Sequence, residues 1–138
     1  MPGQVVHLQL AKSQSRNPVA SAIALENCGL EGDKYARPGR RRQVLLVEQE
    51  VLEEFSLPPG ALDEQITVAG AALSAFPART RFHVGAVLLE VLGPCEPCHK
   101  MNRHGPGMQE LLLGKRGTLA KVVEGGVIRI GDQVCAST

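Results

Sequence analysis

Two cysteines and one histidine lie within a single short segment, residues 93–102, which also contains two prolines. The segment directly follows the strongest strand pattern in the sequence, residues 84–92. Proline fixes its own φ and pushes the residue before it toward extended geometry, so the strand must end here and a stiff loop must follow. A rigid scaffold that presents a loop is the usual setting of a reactive site. The chemistry of this protein is therefore expected in this loop.

The pattern Cys-x-x-Cys-His at residues 95–99 allows several interpretations. It matches the haem-attachment motif, but that chemistry usually needs export, and the N-terminus shows no signal segment. It also matches a redox motif, in which a helix that opens at the cysteines lowers the pKa of the thiol. Residues 102–107 contain an asparagine, two glycines and a proline, which oppose a helix of useful length. Both interpretations are therefore weakened.

A structural zinc site remains as a further alternative. Such a site needs four ligands, and the chain has only one Cys-x-x-Cys pair. Cys28, Cys135, His99 and His104 are the residues that could complete it, although none has supporting spacing. Taken singly, Cys28, Cys135 and Cys95 are interpreted most simply as small packed residues.

Cys98 has different surroundings. His99, Lys100 and Arg103 follow it and bring positive charge to a thiol on an irregular loop, which favours the thiolate. A thiolate is a strong nucleophile and a soft ligand for sulfur-loving transition metals. We therefore predict that Cys98 is the reactive residue, and that limiting iodoacetamide labels it before the other three cysteines.

A second group of charges lies in residues 34–42, where five lysines and arginines surround a Pro-Gly pair. Guanidinium groups bind phosphate well because their planar donors match its oxygens. A solvated surface turn is the competing interpretation, but no acidic residues are interleaved with the cations. The two groups together predict a phosphate-bearing small ligand whose other end meets a cysteine.

The composition excludes several classes of function. The chain has 138 residues, which favours one domain, and its net charge of +1 gives no field that would attract nucleic acid or a membrane surface. Four aromatic residues are too few for a platform that stacks single-stranded bases. The longest apolar run, residues 86–89, is far too short to span a bilayer. We expect a cytoplasmic protein with reduced thiols and neither nucleic-acid nor membrane partners.

Short strand patterns separated by glycine-rich turns dominate the rest of the chain. They predict strands at 3–10, 19–27, 43–47, 65–68, 80–83, 86–92, 118–123, 127–130 and 133–135, with a helix at 48–55, a helical turn at 108–113, and loops or turns at 11–18 and 28–33. Many short strands, 15 glycines and little helix are typical of a β-barrel or β-sandwich.

Four of these stretches, taken in order, resemble the motifs of the MOSC domain, the C-terminal domain of molybdenum-cofactor sulfurases. They are GLEGD at 29–33 with RQVLL at 42–46, QITVAG at 65–70, PCEPCHKMN at 94–102, and RG at 116–117 with GGVIRIGDQV at 125–134. Each motif is weak alone, but the order is specific, and the likeness runs from about residue 3 to residue 135. The chain is therefore identified as a stand-alone, single-domain member of this family, with residues 1–138 as the domain.

The resemblance implies a mostly-β, barrel-like MOSC fold with a few short helices and one reactive cysteine, Cys98. In this family that cysteine carries sulfur or ligates the molybdenum of the pterin cofactor. The implied cofactor is the molybdenum cofactor, and pyridoxal phosphate is not expected in this domain. The motif positions that imply cofactor contacts are Asp33, Arg42, Gln65, Lys100, Asn102 and Arg103. Stand-alone members are linked to sulfur transfer and to the reduction of N-hydroxylated compounds, so a sulfur donor or an electron-transfer protein is the expected partner.

The sequence departs from the family pattern at four positions. Tyr35 and Gln65 stand where histidine and asparagine are usual, Glu48 lies near a position often filled by a small hydroxyl residue, and Cys95 replaces a common arginine. A non-catalytic module that binds an anion or phosphate-bearing ligand, and a small protein with structural zinc, remain the alternatives to an oxidoreductase or a sulfur-transfer component.

Overall fold

A computed structural model describes residues 3–136. Their eleven strands are β1 (Gly3–Lys12), β2 (Ser15–Pro18), β3 (Ser21–Leu25), β4 (Gly29–Leu30), β5 (Val44–Glu48), β6 (Ile66–Ala69), β7 (Arg81–Val84), β8 (Val87–Pro94), β9 (Thr118–Glu124), β10 (Gly126–Arg129) and β11 (Gln133–Ala136). Two short α-helices, α1 (Gln49–Glu54) and α2 (Met108–Leu111), and two 3₁₀ turns, Leu73–Ala75 and His99–His104, complete the described elements.

Seven strands close into a barrel in the order β1, β11, β7, β8, β9, β5, β6, with β6 returning to β1. Neighbours in the barrel are antiparallel except β5 and β6, which run parallel. β2 extends β1 as a hairpin, and β10, β3 and β4 form a small separate sheet. Closure pairs strands that would otherwise end the sheet as edges. The prediction of a mostly-β, barrel-like fold is therefore confirmed.

The alternation of side chains along β5 divides the apolar residues into two clusters. Val44 and Leu46 point into the barrel and pack with the main core, whereas Leu45 and Val47 point outward. The outward pair packs against Leu52 of α1 and against the chain between β8 and β9. The second cluster thus fixes the cysteine loop on the outer wall of the barrel.

Three predicted elements were wrong. The turn expected at 28–33 contains the short strand β4, Gly29–Leu30, which pairs with β3. Residues 11–18 were expected to be a loop, but β1 continues to Lys12 and Ser15–Pro18 pairs with it as β2. β2 has no buried side chain, so its sequence lacks the alternation that marks a half-buried strand. The chain after Cys98 was expected to be irregular, but it forms the 3₁₀ turn His99–His104.

No helix within residues 3–136 has the length and apolar character needed to cross a bilayer.

Candidate functional site

The cysteine loop leaves β8 at Pro94 and turns into the His99–His104 3₁₀ turn. The Cys95 backbone N–H donates to the Gly117 carbonyl at 2.9 Å, which ties the start of the loop to the approach to β9. The Cys95 side chain is buried in the second apolar cluster, on the outer wall of the barrel. Cys98 is half-buried at the start of the 3₁₀ turn, and within residues 3–136 no group hydrogen-bonds its thiol. The two cysteines therefore have different environments, one in the core and one at the surface.

Arg116 fastens the base of this loop to the opposite segment. Its guanidinium is buried and donates from Nε and Nη2 to the Leu62 carbonyl, at 3.3 and 3.0 Å. Nη1 donates to the Glu96 carbonyl at 3.3 Å and lies 3.6 Å from the Cys95 Sγ. Arg116 lies in one of the family motifs but was not among the predicted site residues. The signal available was the Arg-Gly pair before β9, which does not reveal burial.

Residues 61–63, which we call the anchor turn, bind side chains from four parts of the chain. The Asp63 carboxylate accepts from Arg16 Nε at 3.1 Å and from Arg103 Nη2 at 2.9 Å, and its backbone carbonyl accepts from Arg42 Nη2 at 3.0 Å. His104 Nε2 lies 2.7 Å from the carbonyl oxygen of residue 61, and Arg116 binds that of residue 62. Burial acts to raise the pKa of Asp63, but Arg16 and Arg103 outweigh it and hold that pKa below its ordinary value.

Arg42 is the member of this group with spare donor capacity. Its guanidinium carbon lies 4.1 Å from the centre of the Tyr35 ring, a cation–π contact. The Arg42 Nε is buried and has no hydrogen-bond partner in the structure. Burial lowers the pKa of Arg42, with Arg116 adding to the effect and Tyr35, Cys95 and Asp33 opposing it. A buried donor without a partner is costly, and an anion would supply the missing acceptor.

Two of the predicted cofactor contacts, Asp33 and Gln65, are buried and bonded within the fold. The Asp33 carboxylate accepts the Ala11 N–H at 2.6 Å, the Tyr35 N–H at 2.9 Å and the Gln65 amide at 3.3 Å. The Gln65 side-chain oxygen accepts the Leu45 N–H at 2.8 Å. These bonds hold the basic loop against β1 and β5, so both residues position the loop that carries Arg42.

The three remaining predicted contacts lie on the surface after Cys98. Lys100 is exposed, and the Asn102 Oδ1 accepts the Gln109 N–H at 2.9 Å, which links the 3₁₀ turn to α2. Arg103 is about half exposed and directed to Asp63, where its charge is paired. The structure therefore joins Arg42 and Arg103 at the anchor turn, while Lys100 stands apart in solvent.

The structure offers no ligand set for the zinc alternative among residues 3–136, because no three His, Cys, Asp or Glu side chains are grouped to hold an ion there. Cys28 is half-buried and Cys135 is exposed, each as a free thiol.

A cavity of about 690 Å³ is lined in part by Gly93 and Pro94 at the end of β8, but not by Cys98. It opens where β5, β8 and β9 meet the 73–78 segment, and Glu48, Arg41 and Lys115 are its charged residues.

The MOSC domain family model matches residues 33–135 of this chain. Among solved structures, the YuaD protein from Bacillus subtilis is 19% identical, with a TM-score of 0.79 over 97% of this chain and 94% of that one. YiiM from Geobacillus stearothermophilus is 21% identical, with a TM-score of 0.78 over 99% of this chain and 76% of that one. YiiM from Escherichia coli is 23% identical, with a TM-score of 0.73 over 100% of this chain and 70% of that one. No curated protein sequence matches significantly. These likenesses agree with the barrel described above.

Proposed function

This chain belongs to the MOSC domain family, which is associated with molybdenum-cofactor and sulfur chemistry, and on that premise we propose that Cys98 is its working residue, binding the molybdenum cofactor or carrying sulfur. The observation that carries the proposal is the half-buried Cys98 thiol, which no described group hydrogen-bonds, on a loop that Arg116 and the Gly117 carbonyl hold in place. A free thiol on a fixed loop has the access and the orientation that a nucleophile or a metal ligand needs.

The residues present fit the cofactor in their donor chemistry. A cysteine thiolate is a soft ligand of the kind that molybdenum accepts, so Cys98 would hold the metal. Arg42 would hold the pterin phosphate, because its buried Nε lacks an acceptor, and the partly exposed Arg103 bonds to the same anchor turn. When bound, the cofactor would supply two-electron redox chemistry, for which reduction of N-hydroxylated compounds is the proposed activity. An electron-transfer protein would then be the partner.

Sulfur carriage needs only the chain itself and a donor persulfide. The Cys98 thiolate attacks the outer sulfur of the donor, the donor's S–S bond breaks, and the donor leaves as a thiolate. The products are a Cys98 persulfide and the reduced donor, so sulfur and electrons balance without an added oxidant. Arg116 takes no part in this exchange and acts by holding the Cys95 side-chain sulfur and the Glu96 backbone carbonyl.

A non-catalytic module that binds an anion is the alternative function. Only the buried Arg42 Nε without a hydrogen-bond partner favours it. The two functions differ in what Cys98→Ser does, because serine keeps the size of the side chain but lacks the soft sulfur. Cys135→Ser is the matched control, since Cys135 is a free, exposed cysteine on β11.

The experiment measures molybdenum per chain in protein from a molybdenum-replete host, and sulfur added by glutathione persulfide in intact-protein mass spectra. We expect the wild type and Cys135→Ser to capture molybdenum or sulfur, and the double variant Cys98→Ser, Cys135→Ser to capture neither. Equal capture by Cys135→Ser and the double variant would refute the role of Cys98. If the wild type captures neither but binds inorganic phosphate through Arg42, the anion module is the correct function.

A further inference from the structure

The 690 Å³ cavity is a cleft of ligand size that the proposed role of Cys98 does not use. Its wall is mainly apolar and is formed by Leu46, Val51, Leu73, Phe76, Val91 and Leu92. Leu46, Leu73 and Val91 also belong to the barrel core, so the cleft borders that core. An apolar cleft with a few polar groups is the usual form of a small-molecule site.

Glu48 is the acidic residue in this cleft. It is half-buried at the end of β5, and its Oε2 accepts the Ser74 N–H in a long bond of 3.3 Å. Burial raises the pKa of Glu48, the Ser74 hydrogen bonds lower it, and the charge of Glu50 raises it further. Within the described residues no lysine, arginine or histidine forms an ion pair with Glu48. A carboxylate that has lost part of its hydration without gaining a cation is poised to accept one from a ligand.

Neither of the two cations that line the cleft forms an ion pair with the Glu48 carboxylate. The Lys115 ammonium lies 2.7 Å from the Glu54 carboxylate and over the Phe55 ring, so its charge is compensated outside the cleft. Arg41 is exposed, and its Nη2 reaches the β8 wall at Gly93. Glu50, in contrast, adds negative charge near Glu48.

We propose that this cleft binds a small apolar compound that carries a basic nitrogen, an amine or an amidine, with the cation held by the Glu48 carboxylate. The apolar wall contacts the apolar part of the ligand. The charge-assisted hydrogen bond between the ligand cation and the Glu48 carboxylate makes the site selective for cations. The site is independent of the sulfur or molybdenum chemistry proposed for Cys98.

Benzamidine is a suitable probe, because its neutral isostere benzamide has the same shape without the charge. We expect saturable benzamidine binding in ¹⁵N NMR titrations, with the Ser74 amide among the shifted signals, and about tenfold weaker binding of benzamide. Glu48→Gln keeps an acceptor for Ser74 and should weaken benzamidine binding by a similar factor. Glu53→Gln, on the exposed face of α1 and outside the cleft, is the matched control and should change nothing.

A second variant keeps the test valid if Glu48→Gln does not fold. Ala78→Arg adds a cation to an exposed cleft residue and should weaken benzamidine while leaving benzamide unchanged. Equal binding of benzamide and benzamidine, unchanged affinity in Glu48→Gln, or no saturation would each overturn the proposal. Cys98→Ser should retain benzamidine binding, so a failure of the proposed function would not be confused with a failure of this site.

Discussion

Replacing Asp63 with asparagine tests whether the anchor turn depends on the charge of this carboxylate. Asp63 has φ +64°, and asparagine tolerates the left-handed region about as well as aspartate. The substitution also keeps the backbone carbonyl that Arg42 binds. What it removes is the negative charge between Arg16 and Arg103.

The expected loss follows from how exposed the partners are. The Asp63 side chain is 10% exposed, but those of Arg16 and Arg103 are 26% and 45% exposed, so water can take over part of their hydrogen bonding. Buried hydrogen bonds to charged groups contribute about 1.5–3 kcal/mol each, and exposed ion pairs at most about 1 kcal/mol. Two half-exposed bonds therefore predict a free energy of unfolding about 1–2 kcal/mol lower at neutral pH.

The charge of Asp63 also determines how the stability depends on pH. The folded-state pKa of Asp63 lies below its unfolded value, so its contribution is fully present above the unfolded value of about 3.9 and is lost as the pH falls through the folded value. Urea unfolding should therefore separate wild type from Asp63→Asn at pH 7, and the difference should shrink in acid. Glu31→Gln, at an exposed residue, is the control and should stay within about 0.5 kcal/mol of wild type. An unchanged stability at pH 7, or a difference that persists in acid below the folded pKa, would show that the charge of Asp63 does not stabilise the anchor turn.

Three further predictions concern the cysteine loop and the approach to β9. Limiting iodoacetamide, read by peptide mass spectrometry, should label Cys98 well before Cys95, Cys28 and Cys135. Cys135→Ser is the control, because Cys135 is exposed and access alone could speed its labelling. Earlier labelling of Cys95, or one rate for all four cysteines, would contradict the assignment. Gly117→Ala should lower the free energy of unfolding by about 2–4 kcal/mol, because the added Cβ would lie 2.6 Å from a β5 carbonyl oxygen and the φ of Gly117 is +131°. Thermal unfolding measures this loss, and a loss under about 1 kcal/mol would be inconsistent with the close packing at Gly117. Arg116→Lys should lower the free energy of unfolding in urea by about 2–3 kcal/mol, since an ammonium cannot span the two carbonyls that the guanidinium bridges. Wild-type stability of Arg116→Lys would show that this bridge does not stabilise the fold.

The barrel and the position of the cysteine loop followed from sequence because local patterns determine them. β5 could be predicted as a buried strand because its run of apolar residues packs on both faces of the barrel wall. The prolines at 94 and 97 fixed a loop at the end of β8, since they restrict φ wherever they occur. The 3₁₀ turn after Cys98 escaped prediction because glycine and asparagine near it oppose a long helix but not a single short turn.

The grouping of charges was decided only by the tertiary structure. Arg16 and Arg103 meet at Asp63 across 47 and 40 residues of chain, and no local pattern encodes an approach of that separation. Arg16 itself lies in β2, a strand that sequence periodicity did not reveal. Glu48 was predicted to begin the helix at 48–55, but it ends β5. It faces a cleft only because the closed barrel places β9 beside β5 and β8 next to β9. Strand patterns depend on neighbours in the chain, whereas these contacts depend on the register in which the closed barrel pairs its strands.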